Sequence, residues 1–102
     1  MIYGGIRGHV VCFDENSGQE MWRTKLTTGG LFNAAWKEDV AILSKENVII
    51  AGCNGHVWGL DPNTGQIQWH NDLSGLGNGF VALSDSTHST QYIHVEVRKD
   101  FN

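Results

Sequence analysis

Residues 8–22 read GHVVCFDENSGQEMW, and residues 55–69 read GHVWGLDPNTGQIQW. The second stretch repeats the first after 47 positions, and 11 of 25 positions are identical when residues 2–26 are aligned with residues 49–73. A period of this size indicates a repeat architecture, in which one unit cannot bury its hydrophobic face alone. The repeat is therefore the feature from which the rest of the chain is interpreted.

Short β-branched and aromatic runs between turn residues predict strands throughout the chain. The predicted strands are 1–5, 9–13, 20–26, 40–44, 48–52, 56–60, 67–73, 80–83 and 91–98. Asp and Asn side chains followed by Gly at 14–18 and 61–65 predict hairpin connections. Apart from a possible short helical turn over 31–36, the pattern predicts an all-β fold.

Composition narrows the classes of function. The chain has 102 residues, 13 glycines, one proline and a formal net charge of -4. This acidic balance argues against a nucleic-acid partner, which requires a basic face. No apolar run approaches the roughly 20 residues of a membrane span, and residues 1–5 do not begin a secretion signal, so we expect no membrane partner.

The two cysteines are not equivalent in the repeat. Cys12 aligns with Gly59, and Cys53 aligns with Ile6. Both lie in apolar runs, where a free cysteine behaves as a small hydrophobic residue. Since cysteine use follows redox compartment, we expect two reduced thiols in a cytoplasmic protein.

The pattern Gly-x-Val-x-x-x-Asp-x-x-x-Gly-x-x-x-Trp resembles the repeat of the quinoprotein-dehydrogenase-like β-propellers. These include pyrroloquinoline-quinone (PQQ)-dependent alcohol dehydrogenases and the outer-membrane assembly lipoprotein that shares their blade. The resemblance implies four-stranded blades in which the Trp docks one blade on the next, while the Asp and Gly shape the preceding hairpin. The residues that carry it are Gly8, Asp14, Gly18, Trp22, Gly55, Asp61, Gly65 and Trp69.

In that scheme the chain forms two propeller blades. Blade 1 spans about 1–27 and lacks its innermost strand, whereas blade 2 spans about 39–74 with all four strands. The strands in 79–98 are expected to complete a neighbouring blade. The place of 91–98 is left open between a hairpin with 80–84 and a cover over a sheet edge.

Two blades leave two apolar outer faces, which favour association. We therefore predict that the chain closes a ring with copies of itself, as a homotetramer with eight blades or a homotrimer with six. The alternative is that the chain is a piece of a longer propeller.

Catalysis is not expected from these residues. The quinone-dependent enzymes of the resembled family carry adjacent cysteines at their cofactor, which this sequence lacks, and Asp14 and Asp61 match the structural Asp of the repeat. We expect no cofactor, and a quinone-dependent redox enzyme is the third hypothesis. His9 and His56 are repeat-equivalent and lie on different blades, so no metal site is predicted from them.

Binding is the remaining class of function. Phe32, Trp36 and Phe80 lie on the two longer loops and are candidate contact residues, because exposed aromatic side chains commonly anchor interfaces. The first hypothesis is a non-enzymatic, WD40-like propeller scaffold that binds a protein or peptide. The alternative is a carbohydrate-binding ring whose repeated pockets act with avidity.

Overall fold

The computed structural model describes residues 1–27 and 38–87. Within these ranges the chain forms seven strands: β1 (Ile2–Ile6), β2 (His9–Phe13), β3 (Glu20–Lys25), β4 (Ala41–Ser44), β5 (Ile49–Cys53), β6 (His56–Leu60) and β7 (Ile67–Asn71). They build a three-stranded sheet, β1-β2-β3, and a four-stranded sheet, β4-β5-β6-β7, with antiparallel pairing throughout. The predicted all-β class is confirmed. Among the described residues, no helix is long and apolar enough to cross a membrane.

The first turn of each repeat is set by two residues with positive φ. Arg7 and Gly8 connect β1 to β2, and Asn54 and Gly55 connect β5 to β6. Positive φ at both central residues is the geometry of a type I′ turn, whose twist matches the twist of the flanking strands. The repeated glycine of the motif therefore closes a two-residue hairpin.

The second connection of each repeat is organised by its Asp. The Asp14 carboxylate accepts hydrogen bonds from the backbone amides of Asn16 at 2.8 Å and Ser17 at 3.1 Å. The Asp61 carboxylate accepts one from the Asn63 amide at 2.8 Å. Bonds of this type favour the charged carboxylate, and they lower the pKa of Asp14.

The hydrophobic core lies between the two sheets. Residues from both sheets form one buried cluster: Val10, Leu26, Ile49, Ala51, Cys53, Trp58 and Leu60. The blades also meet near the innermost strand, where a Cβ built on Gly5 would lie 2.7 Å from the Val40 carbonyl oxygen. Gly5 is therefore the close-approach point between β1 and the residue that precedes β4.

Blade 1 has three strands in the described residues, and blade 2 has four, which is the strand content predicted for each. The strand predicted at 80–83 was wrong: residues 80–83 are not in a strand, and Ser84 forms only an isolated bridge. Val81 packs against Gly52 much as Val40 packs against Gly5 ahead of β4. The physical reason that no strand follows is the lack of a partner: β4 pairs with β5, whereas the sheets of the described residues contain no strand that pairs with 80–83. The predicted strand 91–98 and the helical turn at 31–36 lie outside the described residues.

Candidate functional site

Trp22 docks blade 1 on blade 2. Its indole N–H donates a hydrogen bond to the Pro62 carbonyl at 3.2 Å, and its ring lies directly over Gly65. Two residues further along β3, the Thr24 hydroxyl donates to the Gly65 carbonyl at 2.6 Å. The side chains of one blade thus bind the Asp61–Gly65 hairpin of the next, and they leave Gly65 buried.

The repeat equivalents of this tryptophan and this hairpin are both exposed in the described residues. Trp69, the repeat equivalent of Trp22, retains 45% of its surface exposed. The hairpin 14–18, the equivalent of 61–65, has Gly18 exposed, and no described atom lies within 4 Å of a Cβ built on it. Among the described residues, one tryptophan and one hairpin therefore lack the contact that Trp22 makes with the hairpin 61–65.

Trp69 is held in position by its own blade. β7 pairs with β6 so that Trp69 lies opposite Gly59, and the indole ring packs over Gly59 so closely that any Cβ there would overlap it. The equivalent of Gly59 in blade 1 is Cys12. Because Gly59 has no side chain, the Trp69 ring can lie against the backbone of β6. A ring that is already held in one position loses less conformational freedom when it binds.

A small cavity lies near the segment that was predicted as a strand. It has a volume of about 210 Å³ and is lined by Glu38, Asp39, Asn54, Gly79 and Phe80. Phe80 is 41% exposed. Of the three aromatic contact residues predicted from the sequence, Phe80 therefore lines a cavity, whereas Phe32 and Trp36 lie outside the described residues.

A pair of histidines meets on blade 2. His56 Nδ1 and His70 Nε2 are 2.8 Å apart, and both rings lie against the buried Trp58. Burial and the charge of His70 lower the pKa of His56, and the charge of Asp72 opposes this shift. The repeat pattern does not indicate this pair, because it relates His56 to His9, whereas His70 lies beside His56 on the neighbouring strand.

Both cysteines are free thiols and buried. Burial raises the pKa of the Cys53 thiol to about 11, with a further contribution from the charges of Glu38 and Asp39. Such a thiol stays protonated at neutral pH and is a poor nucleophile. The expectation that the cysteines act as small hydrophobic residues is confirmed.

Comparison with known families agrees with this geometry. A family described as outer membrane protein assembly factor BamB, a PQQ-like repeat, matches residues 6–91. The chain belongs to this family of PQQ-repeat β-propellers. A search of curated proteins finds no match.

The residues of the PQQ-repeat motif shape and join the blades. The two Asp residues shape hairpins, Gly8 and Gly55 close tight turns, and Trp22 joins the blades. Trp69 occupies the equivalent place in blade 2, without a neighbouring blade beside it among the described residues. The motif therefore joins one blade to the next, and in its second copy Trp69 is exposed among the described residues.

Proposed function

We propose that this chain is a non-enzymatic propeller scaffold that assembles head to tail with copies of itself and binds a protein or peptide partner. The observation that carries the proposal is the internal docking of Trp22 on the hairpin 61–65. Trp69 and the hairpin 14–18 are the exposed repeat equivalents of these two elements. Trp69 of one copy can therefore dock on the hairpin 14–18 of the next copy.

The internal contact supplies a template for the contact between copies. The Trp69 indole N–H takes the role of the Trp22 N–H and donates to the carbonyl of Glu15, the repeat equivalent of Pro62. Asn71 stands where Thr24 stands in blade 1, and its side-chain amide donates to the carbonyl of Gly18. Each junction then repeats the register and hydrogen bonds of the junction within the chain.

The outer face of blade 1 is apolar enough to be covered. Ile2, Ile6 and Met21 are 53%, 59% and 49% exposed. Burying apolar surface of this kind in an interface is favourable by roughly 25 cal/mol for each Å² removed from water. Because donor and acceptor elements differ, the contact is heterologous, and it gives a finite object when the rotation closes a ring. Three copies contribute six blades, and four copies contribute eight.

The mass of the protein in solution tests this proposal. Sedimentation velocity at about 50 μM is expected to show a trimer or tetramer, and Trp69→Ala is expected to shift the population towards monomer. The control is Gln68→Ala, which truncates an exposed side chain next to Trp69 on β7 but on the opposite face of the strand. A wild-type monomer at this concentration would refute self-assembly, and an assembly unchanged by Trp69→Ala would refute the contact.

A second candidate function rests on the cavity beside Phe80. An exposed aromatic ring next to carboxylate and amide side chains, as offered by Asp39 and Asn54, suits the apolar face and the hydroxyl groups of a sugar ring. In a ring of copies the cavity would be repeated, which gives avidity. Binding to a glycan array that is lost in Phe80→Ala and kept in Trp69→Ala would favour this function.

A further inference from the structure

We propose that His56 and His70 chelate a divalent transition-metal ion of the copper(II) or nickel(II) class. The site lies within one chain, so it does not depend on the assembly of copies. It is distinct from the docking surface, because Trp69 is directed to the opposite face of the same strand.

The two imidazoles are brought together by strand pairing. Trp58 of β6 lies opposite His70 of β7, and His56 is two residues before Trp58, so the three side chains share one face of blade 2. The ring planes of the two histidines differ by 13°, and the ring centres are 5.0 Å apart. The rings are nearly parallel, and the His56 Nδ1 to His70 Nε2 distance is only 2.8 Å although the ring centres are 5.0 Å apart, so the rings meet edge to edge. One N–H therefore donates to the lone pair of the other ring.

A metal ion can replace the proton that the two rings share. Imidazole nitrogens bind transition metals at about 2.0–2.1 Å. Two nitrogens 2.8 Å apart, each about 2.0 Å from one ion, subtend an angle of about 90° at that ion. This is the angle between adjacent positions in a square-planar or tetragonal site, the geometry of copper(II) and nickel(II). The rings need only turn so that both lone pairs face the ion, and water fills the other positions.

The repeat shows that the blade does not need this pair. The equivalents of His56 and His70 in blade 1 are His9 and Arg23. There the His9 ring interacts with the Arg7 carbonyl at 2.9 Å, and Arg23 forms an ion pair with Glu20 at 2.8 Å. A blade of this repeat therefore forms with an arginine at the second position. The paired histidines are a local feature of blade 2.

The surroundings favour a bound ion. Trp58 is fully buried, and its indole N–H donates to the Thr27 carbonyl at 2.8 Å, so the surface beneath both rings is fixed. His70 is exposed and His56 is half-buried, so the pair lies at the surface of blade 2. Asp72 adds a negative charge that acts on His56.

Metal titration of the full chain tests the site. Calorimetry at pH 7.5 with copper(II) is expected to give one ion per chain, and His70→Asn is expected to weaken binding about tenfold or more, because a chelating second ligand adds effective concentration. His56→Asn should have the same effect. His9→Asn is the matched control and should leave the affinity unchanged.

Paramagnetic resonance of the copper(II) complex gives an independent readout. We expect hyperfine coupling to two imidazole nitrogens, reduced to one in His70→Asn. The proposal is overturned when no stoichiometric binding occurs at about 100 μM copper(II). It is also overturned when His70→Asn changes neither the affinity nor the spectrum, since the ion then binds elsewhere.

Discussion

Among the described residues, Gly65 is covered by Trp22 and Thr24 of blade 1, whereas its repeat equivalent Gly18 is exposed. Alanine variants of the two glycines therefore measure the docking of blade 1 on the hairpin 61–65. Their φ angles are 77° and 79°, so an alanine at either position meets nearly the same backbone strain, about 1–2 kcal/mol. A Cβ at position 18 has open space, whereas a Cβ at position 65 would overlap the Trp22 ring. Overpacking of a well-packed contact costs about 1–3 kcal/mol more. We therefore expect Gly18→Ala to lower the free energy of unfolding by about 1–2 kcal/mol and Gly65→Ala by about 2–5 kcal/mol.

Urea unfolding, followed by tryptophan fluorescence and circular dichroism, measures both free energies. The comparison is made in a Trp69→Ala background, so that no other copy covers the hairpin 14–18. Effects on the unfolded chain are alike for the two alanines and cancel in the difference. Equal losses of stability for Gly18→Ala and Gly65→Ala would show that Trp22 does not hold the hairpin 61–65. The docking template on which the proposed assembly rests would then be refuted.

Three further outcomes are expected. Trp22→Phe removes the N–H that donates to Pro62 and should lower the free energy of unfolding by about 0.5–1.5 kcal/mol in urea titration; an unchanged value would contradict the hydrogen bond. The Cys53 thiol, with its pKa raised to about 11, should react with iodoacetamide only after unfolding, and fast labelling of the folded chain at pH 7.5 would count against this. The lowered pKa of His56 stabilises the fold above the unfolded-state value of 6.5, and this contribution is lost as pH falls through the folded-state pKa. The free energy of unfolding of His56→Asn should therefore fall less between pH 7.5 and 5 than that of the wild type, whereas that of His9→Asn should fall as the wild type does. If both variants reduced the fall equally, His56 would not be its cause.

The candidate site was only partly predictable from the sequence. The repeat identified Trp22 and Trp69, because a residue that joins one blade to the next must occur once in every blade. It could not show that Trp22 is docked and Trp69 exposed, since that difference depends on which neighbour is present. The sequence also placed Phe80 on a predicted strand that does not form.

Local sequence is sufficient to specify the blade, with its period, its Asp-shaped hairpins, its Gly-closed turns and its tryptophan. These features depend on local backbone chemistry and on residues close together in the chain, so each copy of the repeat predicts them independently. Which surfaces are covered depends instead on tertiary packing. The pairing of β6 with β7 brought together two histidines separated by 14 positions, and the packing of blade on blade covered Gly65 while leaving Gly18 bare. Both outcomes depend on contacts across strands and blades, which a linear pattern does not encode.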